Sequence, residues 1–74
     1  MLTFDEAREI ADEAVGGLNC YTEHEKSFVF SNDKEEGEGG PYPVVIVKET
    51  GKAVTYLHAV LNGLLGDVLS EGRL

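Results

Sequence analysis

The side chains able to act as nucleophile, general base or soft metal ligand are few: one cysteine, Cys20, and two histidines, His24 and His58. Cys20 and His24 invite a thiolate–imidazole pair. The period-two pattern around them reads as a strand, where positions four apart share a face but stand roughly 13 Å apart at ~3.3 Å per residue, too far for proton transfer. Cys20 is therefore expected as a small core residue, His24 in a turn or at the surface, and His58 as a satisfied histidine at a strand end. A zinc site would need a ligand spacing that these three residues do not have. The carboxylates are many, but their positions suit a solvated helix face and a loop, and no matched pair falls where a cleft would form.

Glycine-rich stretches fail the phosphate and calcium tests at named positions. A phosphate-binding loop ending at Gly51–Lys52 needs glycine where Ile46 stands and a hydroxyl where Ala53 stands. A dinucleotide fingerprint starting at Gly37 and Gly39 needs a third glycine at Tyr42 and a helix after it, not a strand. A calcium loop read from Asn32 puts Lys34 at its third position and Pro43 where the bidentate acid belongs. The expectation is a chain with no catalytic residues, cofactor or metal.

Charge points instead to binding. The net charge is −8, carried within residues 1–40, while residues 41–74 balance Glu49, Asp67 and Glu71 against Lys48, Lys52 and Arg73. A phosphate backbone needs a basic footprint, which is missing, so nucleic acid is not an expected ligand. A basic protein would be drawn to the acidic half and would associate faster at low salt. On this reading the contact residues are Glu9, Asp12 and Glu13 on a helix, and Asp33, Glu35, Glu36 and Glu38 in a loop, with Tyr42 as an aromatic anchor.

The elements that must hold these residues belong to one domain, since 74 residues bury only about 60–65% of the surface exposed by the unfolded chain. The fold class expected is α+β: an N-terminal helix on a mainly antiparallel sheet of three to four strands, followed by a C-terminal helix. Residues 3–15 are predicted helical. Thr3 and Glu6 make a capping box, Phe4, Ala7, Ile10, Ala11, Ala14 and Val15 make an apolar stripe, and Gly16–Gly17 ends it. The sheet is expected over 18–58. Ser27–Ser31 alternates in period two, and residues 32–40 form a polar, mobile loop. Val44–Val47 suits a central strand buried on both faces, and a turn at 49–52 leads into Ala53–His58 as its partner.

From 59 to 70, Val60, Leu61, Leu64, Leu65, Val68 and Leu69 share one helical stripe, opposed by Asn62, Gly63 and Gly66. Each glycine costs about 1 kcal/mol relative to alanine, so this helix needs a surface to dock on. Its stripe is also a candidate for self-association into a homodimer. The single cysteine fits a reducing compartment, and the first residues lack a signal pattern, so a cytoplasmic location is expected, with no membrane partner.

Two stretches resemble a known family. LTFDEAREIADEAV is similar to the helix that opens bacterial domains of the immunity protein 35 family, and FVFSNDKEEGEGGPYPVVIVKETGKAV is similar to that family's core. The shared features are an aromatic strand, a G-x-P element (Gly39, Gly40, Pro41), a valine-rich strand and a T-G-K hairpin turn centred on Gly51. The resemblance implies an immunity protein that neutralises a toxin by binding it. The family carries a tryptophan on its aromatic strand, whereas this chain has none and places Phe28 and Phe30 there. The same helix–strand–hairpin order also resembles PepSY-type inhibitory domains, which are usually exported.

Overall fold

A computed structural model of the chain describes residues 2–33 and 43–74. Helix α1 (Phe4–Ala14) starts at the capping box expected for it. The Thr3 hydroxyl accepts from Glu6 N–H at 3.3 Å, and the Glu6 carboxylate accepts from Thr3 N–H at 3.1 Å. Gly16 and Gly17 follow at φ 74 and 63, a backbone region that closes a helix and that other residues rarely adopt.

Five antiparallel strands make one sheet, β1 (Cys20–His24), β2 (Ser27–Ser31), β3 (Val44–Val47), β4 (Ala53–Thr55) and β5 (Val68–Arg73), in the order β4-β3-β2-β1-β5. The class is α+β, with more strands than the three or four expected. Register assigns each side chain to a face, because successive residues of a strand alternate. Glu23, Phe28 and Ile46 are neighbours on one face, as are Tyr21, Phe30 and Val44. This face meets α1 through Ala7 and Ala11, both fully buried. The Phe4 ring fills the centre, 4.9 Å from the Tyr21 ring, 5.6 Å from Phe28 and 5.7 Å from Phe30. The second face carries Val29, Val45 and Val54 beneath Ala59, Leu64 and Leu65. Val44–Val47 is thus buried on both sides, as its unbroken β-branched run predicts.

The region after β4 departs from expectation. Ala53–His58 is not a strand throughout: β4 stops at Thr55, whose hydroxyl accepts from His58 N–H at 3.1 Å and caps a short helix, α2 (Tyr56–Leu61). Nor is 59–70 one helix. Gly63 at φ 63 ends α2, the segment turns again at Gly66 (φ 79), and Val68–Arg73 becomes strand β5. The chain crosses the second face of the sheet from one edge strand to the other, which places Leu64 and Leu65 over the core and Val68 and Leu69 on the far edge.

The β1–β2 hairpin grips this crossover. Ser27 Oγ donates to Leu64 O at 2.6 Å, Lys26 N–H to Leu65 O at 2.9 Å and Glu25 N–H to Asp67 O at 2.9 Å, and the His24 ring pairs with Gly66 O at 3.0 Å. His24 is accordingly buried, contrary to the turn or surface place expected for it. No helix among the described residues is long and apolar enough to cross a membrane.

Candidate functional site

The residues with nucleophilic or basic chemistry are held apart. Cys20 and His24 stand at opposite ends of β1, with Cys20 only half-buried and not in the core. His24 is engaged by the crossover carbonyl. His58 is exposed in α2, where it borders a shallow groove of about 390 Å³ with Val15, Val44, Ala53, Val54 and Thr55. It is a helix residue and not the strand-end residue expected. Among the described residues no group of three or more His, Cys, Asp or Glu is placed to hold a metal ion. A second hollow of about 490 Å³ lies between Glu25, Lys26, Val47, Lys48, Glu49 and Leu64.

Two ion pairs occur among the described residues. Lys48 Nζ lies 2.7 Å from Glu23 Oε2 and 4.8 Å from the centre of the Phe28 ring. Its burial serves packing, with the charge met by a carboxylate and an aromatic face. Arg73 Nη2 donates to Asp33 Oδ2 at 2.6 Å. The hydrogen bond and charge of Asp33 hold the Arg73 guanidinium protonated even more firmly than usual. Asn19 Nδ2 also donates to Asp33 at 2.7 Å, so this carboxylate is committed within the fold, unlike the free loop acid expected for a partner.

Glu9, Asp12 and Glu13 lie exposed on the outer side of α1, with no ion pair among the described residues to neutralise them. The other expected contact residues, Glu35, Glu36, Glu38 and Tyr42, and the family-motif positions Gly39 and Pro41, lie outside the described residues. Gly51 sits in the β3–β4 turn at φ 72, a conformation that explains the glycine there. Glu6, at the start of α1, is held below the usual carboxylate range, chiefly by accepting the Thr3 backbone N–H and then by the Thr3 hydroxyl.

The candidate self-association stripe is divided among three environments. Leu65 is buried and Leu64 half-buried in the second core. Val60 and Leu61 project from α2, and Val68 and Leu69 lie exposed in β5. Sequence reasoning named Val60 and Leu61 but missed that they join Tyr56 and Leu57 on the outer side of α2. Of its six residues only Ala59 is buried, and Leu57 and Leu61 are 67% and 75% exposed beside Tyr56 and Val60. The signal that could have located it is Thr55, whose capping hydroxyl starts a helix in which 56, 57, 60 and 61 must share one side.

Comparison with known proteins gives no support in either direction: no family model, no curated protein and no solved structure matches the chain.

Proposed function

We propose that this domain is a non-catalytic protein-binding module of the inhibitor or immunity type, acting in the cytoplasm on a basic protein partner. The observation that carries the reading is the outer face of α2: four large apolar side chains, Tyr56, Leu57, Val60 and Leu61, exposed side by side on a short helix. In an 8.0 kDa domain such a patch costs solubility unless something covers it. The groove between Val15 at the end of α1 and His58 of α2 links that patch to the α1 side of the sheet. A partner reaching across it would meet an apolar anchor on one side and the acids Glu9, Asp12 and Glu13 on the other. Aromatic and aliphatic anchors supply affinity, and the surrounding charge supplies speed of association and choice of partner. The family resemblance of the first helix and central block supports the immunity-type role.

The test is affinity capture from host lysate with the wild-type chain and with an L57D/L61D variant as baits, at low and at physiological salt. The reading expects a basic protein that the wild type retains, more at low salt, and that the variant loses. Recovery of the same protein by both baits, or of none by the wild type, would refute it.

A further inference from the structure

Strand β5 is the outer strand at one side of the sheet, six residues long and exposed throughout. An exposed edge of that length is open to pairing unless charge, proline or a bulge deters it. Two such devices are present: the pairing with β1 skips Leu69 as a bulge, and Glu71 and Arg73 put charges on the edge. The second device deters strangers and admits a copy.

The backbone shows why. Leu74 N–H donates to Asn19 O at 3.0 Å, so this position faces β1. In an antiparallel ladder the facing alternates from residue to residue. Gly72 and Ser70 therefore also face β1, and Glu71 and Arg73 turn their backbone N–H and C=O outward. A second strand must bond to those two residues.

We infer that β5 pairs antiparallel with β5 of a second copy about a two-fold axis at Gly72, joining two five-stranded sheets into one. Charge complementarity selects both the occupant and the register. Centred on Gly72, the pairing sets Glu71 opposite Arg73 of the other copy, twice by symmetry, with all four side chains on one face. Centring on Glu71 or on Arg73 sets like charges opposite each other, which is destabilising. Centring on Ser70 sets Glu71 against the bulged Leu69, where the ladder is broken. Arg73 gives one nitrogen to Asp33, and its guanidinium keeps further donors for a second carboxylate.

Gly72 suits the axis. Non-hydrogen-bonded pairs bring their Cα atoms to about 4.5 Å. On its α1-side face the residue is roofed by the Tyr21 ring, which would stand 3.1 Å from any Cβ placed there. Two copies of an acidic chain repel at long range, but β5 belongs to residues 41–74, whose charges balance. This surface lies at the opposite sheet edge from β4, so the inference is independent of the reading of α2.

Sedimentation velocity and light scattering on the full chain, from about 10 µM to about 1 mM, test it. The wild type is expected to pass from monomer to dimer over that range. E71R, which puts arginine opposite arginine, should weaken the dimer about tenfold or more. E71P removes only an outward N–H, leaving the bonds to β1 in place, and should do the same. R73E alone should also be monomeric, yet an equimolar mixture of E71R with R73E, which pairs opposite charges again, should restore the dimer. A wild type that stays monomeric to the highest concentration overturns the inference. So does a dimer unmoved by E71R and E71P, or a mixture that stays monomeric while both variants retain the wild-type circular dichroism.

Discussion

The hairpin's hold on the crossover makes a sharp prediction, because the position of α2 depends on it. Ser27 is fully buried, and its hydroxyl donates to Leu64 O at 2.6 Å, a short bond of the O–H type. Replacement by alanine removes the donor and little volume, so the loss is that of the hydrogen bond and of any water the carbonyl cannot recruit. A buried carbonyl left without its donor costs about 1–3 kcal/mol. Leu64 is only half-buried, so water reaches its backbone in part and the lower half of that range applies, about 1–2 kcal/mol. For a domain of this size each kcal/mol moves Tm by about 4–8 °C, so Ser27→Ala should lower Tm by roughly 4–16 °C. Urea denaturation should show the same loss as a shift in midpoint at unchanged slope. Amide exchange adds the local readout: Lys26 N–H, bonded to Leu65 O at 2.9 Å, should lose protection sooner than the amides of β3. A Tm within 2 °C of wild type would refute the claim that this bond anchors the crossover.

Other outcomes follow from the same contacts. Phe30→Ala empties a fully buried site at the aromatic centre and should cost about 3–5 kcal/mol, enough to leave a chain this small largely unfolded by circular dichroism. Leu61→Asp, at a residue 75% exposed, should change stability by no more than about 0.5 kcal/mol in urea while abolishing partner capture. Thr3→Ala should lower Tm by a few degrees through loss of the α1 cap. That cap also has a pH signature. Glu6 is held below the ordinary carboxylate range in the folded chain, so its contribution is present above the ordinary glutamate pKa and is lost as pH falls through the depressed value. Glu6→Gln, which removes the titrating carboxylate itself, should therefore flatten the acid limb of the Tm–pH curve, and an unchanged limb would show that the box does not hold the carboxylate.

Much of the fold was legible because its signals are local. The Thr3–Glu6 box, the period of Phe4, Ala7 and Ala11, and Gly16–Gly17 act within a few residues of one another, and α1 forms where they place it. The Phe28–Phe30 alternation and the Val44–Val47 run mark β2 and β3 in the same way. The candidate site was less legible. Acids on α1 are exposed as read, but half of the apolar outer side of α2, Tyr56 and Leu57, was hidden inside an apparent strand, Ala53–His58, because Val54, Tyr56 and His58 also alternate in period two. The Thr55 cap outweighs that weak alternation once β3 offers β4 only three partners.

What the sequence determined by itself is the helix α1, the two central strands, the tight turn at Gly51 and the acid-rich first half, since each rests on neighbours along the chain. The tertiary structure alone decided the path after Thr55. Val68-Leu-Ser-Glu-Gly-Arg73 has little strand propensity beyond its first two residues, and it is a strand because β1, nearly fifty residues earlier, offers it a ladder. The burial of His24 and the division of the last apolar residues between core, helix surface and sheet edge follow from that pairing. Contacts so distant in sequence leave no periodic trace in either partner, which is why the acids of α1 were legible in the sequence while the α2 face and the β5 edge became visible only in three dimensions.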